Sequence, residues 1–533
     1  MLDKAKAILF HRMTWLYVLL AFPIIDYILR NIIPIPIVSS LWDEGLLVLL
    51  LCIVVLRMLD KRRRLPSVRT PLIAFTVLGV AMFVFDMARF GVNIEGFRAV
   101  YQYILAFIIG FYILDKESEA MQLFRLFVII GGLIGLHGVY QYIIGVEVPA
   151  SWIDASETVR TRSYSIVQSP NVLGSYMALT APIAAGLALT DRGRRRWLWA
   201  VLAVIMLAAL VFTGSRGAWL AFGGAIGLAL LFLNRKLFIG FLIAAVLSSI
   251  FVPQISSRFA ALFNPEYLAK SSENGRIQRW IGAYDQMRSN PIFGTGLGHY
   301  GGAVADRHFG TIYVDSYYFK TLAEMGLLGL GVYLWLMYML LRNTFDIWKG
   351  SARTRQFYLY GGIFAGLLAV ILHNGVENIF EVPFMNTFFW LIAGVLLSLP
   401  YLKPFTPGGQ DPASAGPDSE SDPAGGRRKA GRSVTAEHVG AEAGASAGTV
   451  PSASTRTDRS ADTATYAPVG TSTDTATCAP ADTSTDTLAS TMTVTPVSDA
   501  ASGSASDSAS DASAAGSEAV NPGYDAKGGT AYA

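Results

Sequence analysis

Charge is scarce in this sequence. Only 15% of its 533 residues are Asp, Glu, Lys or Arg, where a soluble chain would carry about 25%, and its mean hydropathy is +0.42. A large soluble globule is excluded on that ground. Cysteine is almost missing: Cys52 sits in an apolar run and Cys478 in a polar one, so no disulfide framework is expected. The six histidines are dispersed without paired ligand spacing, and neither a metal nor another cofactor is expected. A basic stripe is also lacking, since the positive charge is scattered between apolar stretches, which excludes nucleic acid as a partner.

What the chain has instead is long apolar runs. A bilayer core about 30 Å thick needs roughly 20 apolar residues per helix, and about 12 runs approach that length. They lie near residues 13–33, 42–59, 71–90, 98–114, 124–146, 171–190, 197–213, 217–233, 237–253, 318–341, 356–374 and 384–402. The first run is too long, and too interrupted by Asp26 and Arg30, to read as a cleavable signal peptide. The expected fold is therefore all-α: a polytopic membrane helical bundle over residues 1–402. It carries one large extracytoplasmic loop, about 254–317, and a disordered cytoplasmic tail follows over 403–533.

The tail differs in charge as well as hydropathy. Residues 403–533 hold 8 Lys/Arg and 16 Asp/Glu, a net −8, which leaves +11 on the body. With a single leucine, Leu488, and no Ile or Trp, the tail cannot bury enough apolar surface to offset its ordering entropy. Orientation follows from the basic loops. Lys61–Arg64, Arg192–Arg196, Arg235–Lys236 and Arg342–Arg355 fall on one side if the runs alternate, and the positive-inside rule makes that side cytoplasmic, together with both termini. The expected location is the plasma membrane, with membrane lipids as surroundings.

The outer loop has its own pattern. Ile277, Trp280, Ile281, Tyr284 and Met287 recur at helical spacing, which predicts a short amphipathic helix lying on the membrane face or packed on the spans. Gly294 to Gly302 is glycine-rich, but no strand precedes it, so it is no dinucleotide loop.

Arginine on the outer side runs against the positive-inside bias and needs a reason. Arg162, Arg216 in the turn Thr213–Gly217, and Arg276 are candidate ligands for a diphosphate, because a guanidinium stays charged and presents a bidentate fork. The bland alternative is snorkelling into the interface, and for Arg160, Arg279 and Arg288 it is the expected one. Asp315, at the mouth of the 318–341 run, either acts as a general base or caps that helix. Glu324 lies deeper in the same run, either as a functional carboxylate or as a partner of Arg216. His299 is a further base candidate or a solvated loop histidine. His373, Glu377 and Glu381 rank below these as residues lining an acceptor.

These motifs, in this order, resemble the O-antigen ligase and O-antigen polymerase superfamily of polytopic membrane glycosyltransferases. The matching residues are Arg162 with Pro170-Asn171 and Leu173-Gly174, Thr213-Gly-Ser-Arg-Gly217, and Gly275-Arg276 with Trp280. They continue through Pro291–Gly298 and Tyr317–Gly329, so the resemblance covers roughly residues 160–400. It implies a glycan donor linked to a polyprenyl diphosphate and a glycan or other hydroxyl acceptor, with further envelope polysaccharide assembly proteins as partners. Asp315 stands where the ligases of that superfamily carry a histidine, which points toward polymerase. The alternatives from other classes are a transporter or flippase for the same lipid-linked glycan and a non-catalytic scaffold. A transporter would show inverted repeats, and the sequence has no such symmetry.

Overall fold

The computed structural model describes residues 11–58, 63–149, 161–252, 255–256, 275–311 and 313–403. Arg160, much of the expected outer loop and the tail beyond Lys403 lie outside them. Helix dominates, and the only strand-like pairing among the described residues is one bridge between Lys116 and Lys403.

Helices α1 (Arg12–Leu20) and α2 (Phe22–Tyr27) form a pair bent by 64°, with α2 running on as a π-helical turn, Ile28–Ile32. Pro23 explains the bend, since its ring has no N–H to donate and clashes with the preceding turn. Then come α3 (Pro36–Met58), α4 (Arg69–Phe85), α5 (Phe90–Tyr101) and α6 (Leu105–Tyr112). Next are α7 (Glu117–Ile144), α8 (Pro170–Thr190), α9 (Arg195–Phe212), α10 (Arg216–Leu233) and α11 (Arg235–Phe251). Two shorter helices, α12 (Arg276–Ser289) and α13 (Ala303–Phe309), precede α14 (Tyr317–Gly350), α15 (Phe357–His373) and α16 (Pro383–Ser398).

Among the described residues eight helices are long and apolar enough to cross a membrane, and the bent α1–α2 pair makes nine. The remaining expected runs are α4, α11 and α15, helices of 17 residues each. At 1.5 Å per residue these are about 26 Å long, short of a bilayer core of about 30 Å.

The most buried helices are α8 and α16. Helices surrounded by lipid gain little from apolar burial and associate through close packing, which small residues permit. Gly362 and Gly366, four apart on α15, do this against α8. A Cβ on Gly362 would stand 2.2 Å from the Pro182 carbonyl oxygen, and one on Gly366 2.4 Å from that of Leu179.

Another glycine shapes the site. Gly326 interrupts α14 with φ 66° and ψ −167°, a conformation only glycine adopts without strain. The 291–296 segment fills the break. Thr295 and Gly296 donate to the carbonyls of Ala323 and Glu324 (3.0 and 2.9 Å), and Leu327 donates back to Pro291 (2.8 Å). The glycine-rich stretch is thus a backbone splint for a broken helix.

The amphipathic helix α12 packs on α14 by stacking Trp280 on Phe319, ring centroids 5.5 Å apart, and buries Ala283 and Met287. Ile277, Ile281 and Tyr284 remain exposed. Of the two expected placements, packing on the spans describes the Trp280 side.

Charged residues far apart in sequence pair at one end of the bundle. Arg12 and Arg57 both reach Asp115, Arg125 pairs with Asp191 at 2.8 Å, and Arg355 donates to the Thr190 carbonyl at 3.0 Å. Of these, Arg355 ends one of the basic loops that the charge pattern assigned to one side, and Asp191 adjoins another, Arg192–Arg196.

Candidate active site

At the other end three loops converge. The first is the stretch before α8. Ser163 N–H bonds to the Phe212 carbonyl, and Arg162 Nε donates to that of Thr213 (both 2.9 Å), which fastens this stretch to the end of α9. Ser169 caps α8, with Pro170 in its first turn, a placement in which the missing N–H costs nothing. Asn171 follows at once, and its Oδ1 accepts from Arg162 at 3.3 Å.

The second is the turn from Thr213 to Gly217. Gly214 takes φ 62°, and Ser215 caps α10 by accepting from Ala218 N, so Arg216 is the helix's first residue, partly buried. This turn abuts the end of α15: a Cβ on Gly217 would stand 3.1 Å from His373 Nε2. His373 is 1% exposed, and among the described residues neither ring nitrogen has a hydrogen-bond partner.

The third is the 374–381 loop, held by buried asparagines. Asn374 accepts from Phe380 N (3.2 Å), and Asn378 donates to the Gly301 carbonyl (3.0 Å). It presents Glu377, buried, to both other partners. Glu377 Oε2 accepts from Asn171 Nδ2 at 2.7 Å and from Arg276 at 3.0 Å. Burial pushes this carboxyl up to about 7, against the opposing pull of Arg276.

Helix α12 supplies the rest. Arg276 and Arg279 are three apart and share a face. Arg279, expected to be no more than a snorkelling side chain, donates to Asp315 Oδ2 at 2.6 Å, and Arg276 Nε lies 3.7 Å from the same oxygen. Asp315 does not cap α14; Ser316 does, accepting from Phe319 N. Asp315 itself sits at φ 52°, a left-handed position uncommon for a residue with a side chain.

Arg162, Arg276 and Asp315 are therefore brought together, the Arg216 turn is fastened beside them, and Asn171, Arg279 and Glu377 join them. Glu324 and His299 belong elsewhere. Glu324 is paired not with Arg216 but with Lys320, one helical turn before it, at 2.6 Å. Lys320 also meets Glu381 at 3.1 Å. These carboxylates hold the glycine-rich loop, accepting from Tyr300 N (3.4 Å) and Ala303 N (3.2 Å). His299 is buried, stacks on Phe309, and its Nε2 lies 3.7 Å from Asp86.

Three guanidinium groups against two carboxylates leave a positive, partly desolvated cluster, suited to an anion of high charge density. The spacing of Arg276 and Arg279 was legible as one helix face. Glu377 had no local signature, because its partners stand 101 and 206 residues away.

Residues 201–334 match the family model described as O-antigen ligase. The match spans α9 to α14, taking in Arg216, Arg276, His299, Asp315 and Glu324 while leaving Arg162, Asn171 and Glu377 outside. No curated protein matches the chain. The apolar helices describe a multi-pass membrane protein, and its matched segment is similar to O-antigen ligases. By that match, the segment from α9 to α14 falls in the O-antigen ligase superfamily.

Proposed function

We propose that this chain is an inverting glycosyltransferase that polymerises or transfers a glycan from a polyprenyl diphosphate at the outer face of the plasma membrane, with both termini cytoplasmic. One observation carries the reading: Arg276 reaches both Glu377 and Asp315, drawing α12, the 374–381 loop and the mouth of α14 around one point. Arg162, Arg216, Arg276 and Arg279 receive the diphosphate, and their fixed forks stabilise the charge that gathers on it as it leaves. The donor is already activated, so no nucleotide is needed, and the arginines supply the stabilisation a metal would otherwise give.

In the reaction the acceptor hydroxyl oxygen attacks the anomeric carbon and forms the new glycosidic bond. The bond from that carbon to the diphosphate oxygen breaks, and its electron pair leaves with the diphosphate. The hydroxyl proton passes to Glu377, whose carboxyl, raised to about 7, is matched to taking a proton near neutrality. Asp315 orients Arg276 and Arg279 from the opposite side. Glu324 with Lys320 keeps the glycine-rich loop in place, and His299 anchors that loop at Asp86. Within the superfamily, Asp315 in place of the ligases' histidine favours polymerisation.

The test is the purified full chain incubated with a polyprenyl-diphosphate oligosaccharide, the products read by mass. A ladder of lengths on the carrier means polymerase, and movement to another acceptor means ligase. Unchanged substrate refutes the proposal in favour of transport or a scaffold.

A further inference from the structure

A cavity of about 300 Å³ lies between the bent first helix pair, the 166–168 turn and the start of α16. Nothing in the arginine cluster uses it. Tyr27, Asp26, Arg30, Asn31, Gln168 and Phe384 are among the residues that line it. The break in the first helix pair is what opens it. The π-helical turn Ile28–Ile32 carries Arg30 and Asn31 to its wall, and such turns recur at functional sites.

The opposite wall is strained. Ser165 and Gln168 take φ 51° and 58°, positions costly for side-chain-bearing residues unless the surroundings impose them. Here they do. Ser165 N–H donates to Gln141 Oε1 at 2.6 Å, while its hydroxyl donates to the Ile134 carbonyl at 2.8 Å. Gln168 Nε2 then reaches across to Asn31 Oδ1 at 2.9 Å.

The chemistry of the lining is specific. Arg30 Nε and Trp42 Nε1 both donate to Asp26 Oδ1, at 2.8 and 3.2 Å, so one carboxylate oxygen takes both donors. Asp26 and Arg30 neutralise one another, which removes the attraction for phosphate that the arginine cluster has. What remains is a neutral wall of planar donors and acceptors facing an apolar floor of Phe22 and Phe384, both buried. Carboxylate, guanidinium and amide groups pair two at a time with adjacent hydroxyls, and aromatic faces cover C–H surface. A few placed polar groups over an apolar floor is the build of a small-molecule site. That combination fits a sugar ring.

The position fits as well. Gln168 and Asn171 are three residues apart, so their Cα atoms are within about 11 Å. The 374–384 segment likewise presents Glu377 to the arginines and Phe384 to the cavity. We infer that this cavity is a glycan subsite, which holds a sugar residue of the chain being transferred or of the chain that accepts it. The inference rests on the glycan-transfer reading for the identity of its ligand.

The test uses the full chain in lipid nanodiscs and three probes. These are unglycosylated polyprenyl diphosphate, the producing cell's extracted lipid-linked oligosaccharide, and that oligosaccharide released from its carrier. The variants are Asn31→Trp, which fills the cavity from an exposed position, and Gln168→Gly, which removes the amide and suits the left-handed backbone. Both variants are expected to bind unglycosylated carrier like wild type, which also reports on folding. At least one glycan probe should bind about tenfold more weakly or worse, the effect of removing roughly one good hydrogen bond. Weakening confined to the released oligosaccharide assigns the subsite to the acceptor, and weakening confined to the lipid-linked form assigns it to the donor. Unchanged glycan binding in both variants, or no glycan binding by wild type, overturns the subsite. If wild type binds released oligosaccharide but not the unglycosylated carrier, the diphosphate reading fails while the subsite stands.

Discussion

Arg276 donates to Glu377 at 3.0 Å, joining residues that lie on opposite sides of the long helix α14 in sequence. The pair places a guanidinium that stays charged against a carboxyl whose burial favours the neutral form. A diphosphate arriving at the arginine would weaken its hold on the carboxylate and increase that group's appetite for a proton.

This makes Glu377 the pH-sensitive element. Its folded carboxyl titrates at about 7, above the ordinary value of 4.5. Activity that needs the ionised form should rise as pH climbs through about 7, and Glu377→Gln should abolish both the activity and that limb. Stability should move the other way. Between the two values the unfolded chain has lost the proton that the folded chain keeps, so stability present below about 4.5 declines until about 7. Thermal unfolding across that range, with Glu377→Gln as the flat control, checks the sign.

Arg216 separates charge from geometry. If it holds phosphate through two parallel donors, Arg216→Lys keeps the charge and loses the fork. Losing charge-assisted bonds of roughly 1.5–3 kcal/mol lowers the rate about ten- to a hundredfold, with Arg216→Ala at least as damaging. Initial rates with purified protein at matched membrane yield decide it, and a Lys variant at wild-type rate would remove the bidentate role.

The packing of α8 on α15 should tolerate no added bulk. A Cβ at Gly362 would sit 2.2 Å from a carbonyl that belongs to the backbone, so Gly362→Val should destabilise the bundle by about 1–3 kcal/mol or more. The expected readout is a lower unfolding temperature in detergent. The same change at Gly331, which has nothing within 4 Å of an added Cβ, should be mild.

Orientation is open to thiol labelling. With Cys52 and Cys478 replaced by alanine, Ser289→Cys on exposed α12 should react with an impermeant reagent added to intact cells. Arg194→Cys, also exposed, should react only after the membrane is opened. The opposite pattern would put the arginine cluster in the cytoplasm.

Much of this was legible from hydropathy and charge. Every expected apolar run contains helix among the described residues, but α4, α11 and α15 stop at 17 residues, because run length alone does not show where a helix ends. Arg162 and Arg276 stood out because arginine on the expected outer side runs against the positive-inside bias, and Asp315 because it stands at the mouth of an apolar run. Lys320 and Glu324 could have been paired from their four-residue spacing alone, which would have withdrawn Arg216 as the partner of Glu324. Glu377 could not, since its importance comes from neighbours that only the assembled bundle supplies. The cavity depends on a bend at Pro23 and a strained turn at Gln168, and neither has a periodic signature.

Arg162 precedes α8, Arg276 lies on α12, and Glu377 follows α15, so a chain emerging from the ribosome offers these groups at widely separated times. Glu377 comes last of the three, ahead of α16 and the polar stretch from residue 403 onward. Until then the arginines have Asp315 to face but no buried carboxylate beside them. On the proposed reading, an incompletely inserted chain would hold its diphosphate-binding arginines before it holds its base, and so would bind a donor before it could turn one over.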